Sequence, residues 1–168
     1  MALPPAQERE KAEIFVMKMQ IETWLRVLNN LAAGMQSPFL LLVRLYWGWQ
    51  FIETGWGKVN NIGKVVEFFT TLGIPAPALN AHFIAGLELI GGILLVVGLA
   101  ARPIGLLLTS NMLVAYATAD REALFSIFRD PDKFYAAAPY TFLIASLIVL
   151  IFGAGKFSLD SWIVSRRK

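Results

Sequence analysis

The sequence predicts an all-α protein: an integral membrane four-helix bundle with an additional N-terminal amphipathic helix. Three observations predict it. Apolar residues make up 57% of the chain and charged residues 16%, against about a quarter charged in soluble domains, and mean hydropathy is +0.58. Residues 81–118 hold two apolar runs joined only by Gly98-Leu99-Ala100-Ala101-Arg102-Pro103. That pattern is a membrane hairpin, with Glu88 near the middle of its first arm. A length of 168 residues leaves room for about four spans at roughly 20 residues each, and hence for one bundle.

Residues 1–36 form the first region. Ile14, Met17, Ile21, Trp24, Leu25, Leu28, Leu31 and Met35 recur at three- and four-residue steps, which is one face of a helix. Charges interrupt this region throughout and no apolar run of signal-peptide type occurs, so the segment is expected to stay on the protein. Such a helix lies at the membrane interface or docks on a partner. Residues 37–162 hold the bundle. Ser37-Pro38 opens the first span, residues 38–57, with proline tolerated in the first turn. A short amphipathic helix in the connecting segment carries Val65, Val66, Phe68, Phe69 and Leu72 and is stopped by Gly73-Ile74-Pro75-Ala76-Pro77, a run of breakers. The further spans are residues 79–98, 103–119 and 136–153, with Asp130-Pro131-Asp132 as a turn signal between the last two. Residues 163–168 are a basic tail.

Four spans put both ends of the chain on one side. That side carries Arg9, Lys11, Lys18, Arg26, Arg102, Lys156, Arg166, Arg167 and Lys168, and the other carries Lys58, Lys64, Arg121, Arg129 and Lys133. By the positive-inside rule the ends face the cytoplasm of a bacterial inner membrane. There is no cysteine and one histidine, His82. Disulfides, thiolate chemistry, cysteine-held clusters and a haem with two histidines from one copy are excluded. No metal-ligand spacing is present, no cofactor is intrinsic, and no long basic stripe suggests nucleic acid. The expected surroundings are the lipid bilayer and other membrane-protein subunits.

Charged groups at bilayer depth cost at least about 2.5–3.5 kcal/mol each, so they face the bundle interior and find partners. Counting inward from the cytoplasmic ends of the spans at about 1.5 Å per residue, Arg44 lies roughly 9 Å deep, Glu88 roughly 15 Å and Asn111 roughly 12 Å. Arg44, Gln50, Glu88 and Asn111 are therefore the candidate buried polar site, with Arg44 and Glu88 as its pair. Glu53, Lys58 and His82 are secondary candidates nearer the outer surface. The Arg44–Glu88 pair reads either as an internal lock that binds nothing or as a proton-handling, head-group-binding site.

Several blocks carry a family resemblance. Arg44 precedes an aromatic, glycine-rich stretch ending at residues 55–58. Leu72-Gly73-Ile74-Pro75-Ala76-Pro77 and Glu88-Leu89-Ile90-Gly91-Gly92-Ile93-Leu94-Leu95 follow. Asn111-Met112-Leu113-Val114-Ala115-Tyr116 and Gly153-Ala154-Gly155-Lys156-Phe157-Ser158-Leu159-Asp160 complete the set. Over residues 38–162 the chain resembles the DoxX family of small four-helix membrane proteins, similar to the DoxD-type subunit of thiosulfate:quinone oxidoreductase. The resemblance implies a bundle in the bacterial cytoplasmic membrane and a link to membrane-bound oxidoreductase assemblies. The residues in its matching blocks are Arg44, Lys58, Glu88, Asn111 and Asp160.

Two functions follow. The first is an accessory subunit of a larger, quinone-linked redox complex. The second is a subunit that binds a quinone or small substrate between spans one and two, with Glu88 exchanging protons and Arg44 holding an anionic oxygen. In either case electrons come from a partner. A small transporter is a weaker third reading, since no span is broken at midplane and no repeat is visible.

Overall fold

The computed structural model describes the backbone of residues 6–166 and the side chains of Phe15 and residues 17–166. Arg167 and Lys168 of the basic tail, and the side chains of Arg9 and Lys11, lie outside the described residues. The described chain is all-helical: α1 (Ala6–Asn60), α2 (Ile62–Thr71), α3 (Pro77–Val97), α4 (Ala101–Thr118), α5 (Arg121–Ser126), α6 (Pro131–Ala136), α7 (Pro139–Phe152) and α8 (Leu159–Ser165). It divides into two units, residues 1–36 and 37–168.

In the first unit Met17, Ile21, Trp24, Leu28, Leu31 and Met35 are exposed. Glu22 and Arg26, one turn apart, form an exposed ion pair at 3.6 Å.

The expected helix start at Ser37-Pro38 is corrected, because α1 runs on with Pro38 inside it. Proline cannot donate to the carbonyl four residues back. Here that residue is Gly34, which is exposed and has open space where a side chain would be, so the loss costs one hydrogen bond without forcing a break. The expected stop at Gly57 also fails, and the helix continues to Asn60. Lys58 is thereby carried on α1 instead of on the connecting segment.

In the second unit α1 and α3 approach through glycines. A Cβ on Gly55 would lie 2.4 Å from the Leu89 nitrogen, and one on Gly92 would lie 2.7 Å from the Gly48 oxygen. These two helices therefore touch backbone to backbone. A turn through Gly98 (φ 75) and Ala100 (φ 49) reverses the chain into α4. α4 packs on α7, where Gly105 meets the Leu150 backbone and the Thr109 hydroxyl donates to Ser146 Oγ at 3.0 Å. Phe51 of α1 meets Phe142 of α7 edge to face at 4.7 Å. Val43, Phe51, Leu95, Leu108, Met112, Leu143 and Val149 form the common core. The Tyr116 hydroxyl donates to the Phe134 oxygen at 2.8 Å and ties the short helix α6 to the end of α4.

Among the described residues one helix, Pro77–Val97, is long and apolar enough to cross a membrane, and Pro139–Phe152 is a shorter apolar helix. The other three expected spans fall short for physical reasons. α4 carries Arg102, Thr109, Ser110 and Asn111, and the second half of α1 carries Arg44, Gln50, Glu53 and Lys58. α7, with 14 residues, spans about 21 Å at 1.5 Å per residue, against roughly 30 Å of hydrocarbon.

Candidate functional site

The glycine-mediated contact of α1 with α3 decides which side chains meet. Because Gly55 abuts Leu89, Lys58, nearly one turn further along α1, reaches Glu88. Its Nζ donates to Glu88 Oε2. The other carboxylate oxygen accepts from Asn111 Nδ2 of α4 at 3.1 Å. Glu88 is 3% exposed, while the Lys58 side chain is 31% exposed. Both carboxylate oxygens are thus engaged, and the lysine keeps further N–H donors free to face outward.

They face a cavity of about 460 Å³. Lys58, Glu88 and Asn111 form one polar corner, with Asn80 and Thr118 on the lining, and Phe68, Phe69, Leu72, Ile74, Ile84 and Val114 supply apolar wall. α2 contributes the two phenylalanines, and the turn after it contributes Gly73 (φ 69). The amphipathic connecting helix therefore forms a side of this cavity.

Arg44 belongs elsewhere. The expected Arg44–Glu88 pair is corrected: the guanidinium donates to four backbone oxygens, from Nε to Leu95 at 2.9 Å, from one terminal nitrogen to Ala154, and from the other to Phe157 at 3.0 Å and Val96 at 3.3 Å. Leu95 and Val96 lie in the last turn of α3, where carbonyls have spare accepting capacity and the dipole favours a cation. On α3 these positions lie about two turns, roughly 10 Å, beyond Glu88. Counting depth from assumed span ends put Arg44 within reach of Glu88, but the glycine contacts set the true register and leave Arg44 beside the C-terminus of α3.

Asp160 completes this second cluster. Its carboxylate accepts from the N–H groups of Ala100 and Ala101 at 2.8 and 2.9 Å, and its own N–H donates to the Gly98 oxygen at 3.0 Å. Gly98 is wedged between Arg44 and Ser158, where an added Cβ would lie 2.7 Å from each. The sequence did carry a signal for this cap. α4 starts at Ala100-Ala101 with no local Ser, Thr, Asn or Asp to serve its first N–H groups, so a remote group must.

The remaining candidates do not join either cluster. Gln50 is half-buried and off the cavity, and Glu53 is exposed. His82 is exposed, with Nδ1 2.7 Å from the Ala78 oxygen one turn earlier. Lys58, expected at the outer level, is the residue that the structure adds to Glu88 and Asn111. No group of three or more His, Cys, Asp or Glu able to hold a metal occurs among the described residues.

A family model described as DoxX matches residues 39–121. CatD of Bacillus subtilis (strain 168), provisionally named an oxidoreductase, is 30% identical over 128 residues, covering 76% of this chain and 89% of its own. An uncharacterized protein of Haemophilus influenzae is 31% identical over 128 residues, covering 74% of this chain and 82% of its own. The chain belongs to the DoxX family. No solved structure matches it. DoxX proteins are generally membrane-associated. The DoxX match contains Arg44 and the four charged or amide groups at the cavity, Lys58, Asn80, Glu88 and Asn111, whereas Asp160 lies beyond it.

Proposed function

We propose that this DoxX protein is a membrane-embedded subunit of a quinone-linked redox assembly and holds a quinone head group in the cavity between α2, α3 and α4. The observation that carries the reading is the corner formed by Glu88, Lys58 and Asn111 at an otherwise apolar cavity of about 460 Å³. Small-molecule sites have this make-up: mostly apolar walls, a few convergent polar groups, and about 300–1,000 Å³ of space. The provisional oxidoreductase name of CatD supports the redox context.

In this reading the second half of α1 crosses the bilayer with α3, α4 and α7 as a four-helix bundle, both ends of the chain facing the cytoplasm. The charges that weaken α1 as a span are the ones with partners: Arg44 is satisfied by carbonyls and Lys58 by Glu88. Paired interior charges are what a membrane bundle tolerates.

The residues fit a quinone, which when bound supplies two-electron chemistry coupled to proton uptake. Lys58 has N–H donors to hold a ligand carbonyl oxygen. Glu88 positions that lysine and can take or give a proton at Oε2, while Asn111 fixes Oε1. Phe68 and Phe69 of α2 keep water from one side. With no cysteine and a single histidine in the chain, electrons are supplied by a partner subunit.

The test is binding of a short-chain benzoquinone and a short-chain naphthoquinone to the purified protein in mild detergent, with co-purifying proteins identified. Glu88→Gln weakens binding by about tenfold or more, the worth of one charge-assisted contact, in protein that retains its helicity. Unchanged binding, or binding of neither quinone by the parent protein, returns the trio to the role of an internal lock in an accessory subunit.

A further inference from the structure

In the first unit, Met17, Ile21, Trp24, Leu28, Leu31 and Met35 follow one another at steps of four, three, four, three and four, and in sequence Ile14 precedes them by three. This is the 3.5-residue repeat of a coiled-coil seam. All six described members of the series are 54–70% exposed. Lys18, Glu22, Thr23, Arg26, Asn29 and Asn30 fall off the seam, as do the apolar Phe15 and Met19, and Leu25 and Val27 border it.

We propose that this segment forms a parallel two-stranded coiled coil with a second copy of the chain. Three features select that occupant. First, residues 1–36 contain Glu8, Glu10, Glu13 and Glu22 against Arg9, Lys11, Lys18 and Arg26, so charge is balanced. A helix bound to an anionic bilayer surface carries an excess of Lys and Arg on its polar face, and this one does not. Secondly, an a/d seam is self-complementary: the knobs of one copy enter holes between identical residues of the other, with Ile21 and Leu28 at one seam position and Trp24 and Leu31 at the next. Thirdly, two copies inserted the same way in one bilayer present their segments in the same direction and at high effective concentration. Only this last point, which sets parallel over antiparallel, rests on the membrane reading above.

The absence of cysteine makes cross-linking a clean test. In full-length protein in lipid nanodiscs, Leu28→Cys is expected to give a disulfide-linked species of twice the chain mass under mild oxidation. Its yield should exceed that of Asn29→Cys by about tenfold, because only facing seam positions bring Cα atoms within roughly 4.4–6.8 Å. Ile21→Cys should self-link as well, which an antiparallel pair would not allow at both positions. The double variant Ile21→Asp, Leu28→Asp should run as a monomer in native mass spectrometry while keeping its helical circular dichroism and its quinone binding. That last readout separates failure of this proposal from failure of the cavity reading. Equal cross-linking at residues 28 and 29, a monomeric parent protein, a cross-linked product containing a different chain, or quenching of Trp24 by brominated lipid would each overturn it.

Discussion

Arg44 and Glu88 are both buried charges on neighbouring helices, yet their surroundings differ in kind. Arg44 directs four of its five guanidinium N–H donors to backbone oxygens of Leu95, Val96, Ala154 and Phe157, and at 1% exposure it does not open onto the cavity. Glu88 is matched by Lys58 and Asn111, and the lysine is partly open to a cavity. The first cluster joins the end of α3, the start of α4 and the segment after α7. The second joins three helices around empty space. Burial of a charge therefore says little about ligand binding. What separates a clamp from a site is whether the donors turn inward to the fold or open onto a cavity.

Removing the arginine should break the first cluster most severely. Arg44→Met orphans carbonyls in the interior, and loss of one partner from a buried charged network costs about 3–5 kcal/mol. A large drop in thermal midpoint in detergent, without a change in quinone affinity in whatever fraction stays folded, is the expected result. If quinone affinity falls while the thermal midpoint holds, the two clusters have been assigned the wrong way round.

Gly55→Ala tests the contact that sets the register of both clusters. The new methyl would lie 2.4 Å from a backbone atom of α3, and overpacking of that kind costs about 1–3 kcal/mol. Gly57→Ala, with open space at its Cβ, is the matched control and should gain up to about 1 kcal/mol of helix propensity. Chemical unfolding of the two variants reads the difference.

A double-mutant cycle on Lys58→Met and Glu88→Gln sharpens the comparison further. The two changes together should cost less than their sum, with a coupling of about 0.5–3 kcal/mol. Additive effects would mean that the ion pair contributes nothing to the fold.

The smallest effect belongs to an exposed ion pair outside the helical core. The hydrogen bond from Lys133 to Glu122, at 2.9 Å, and then the lysine's charge hold the Glu122 carboxyl below its usual value, and the same contact raises Lys133. A carboxyl lowered by folding stabilises the protein above its unfolded value, and the contribution disappears as pH falls through the lowered one. For the raised lysine the contribution is present below its usual value and is lost as pH rises through the raised one. Both side chains are exposed, so salt screens the effect. Carboxyl NMR titration of Lys133→Ala should show Glu122 moving up toward the ordinary range, with little change in unfolding.

Much of the fold was legible. The hairpin at Gly98-Leu99-Ala100, the amphipathic helix ending before Gly73 and the burial of Glu88 and Asn111 follow from periodicity, breakers and the cost of polar groups among apolar neighbours. Pro38 was misread because a proline suits both a first turn and an exposed helix interior, and only the open space at Gly34 distinguishes them. Lys58 and Asp160 were visible as matching residues, but their partners were not.

The sequence by itself determined that the protein is helical and that charges buried in its interior must find partners there, because these follow from composition, local period and the energetics of burial, while its place in DoxX follows from sequence similarity. Only the tertiary structure decided that Glu88 faces Lys58 and that Arg44 closes the far end of α3. Pairing across helices depends on their relative register, and that register is set where the glycines of α1 and α3 let two backbones touch, a contact that no local pattern encodes.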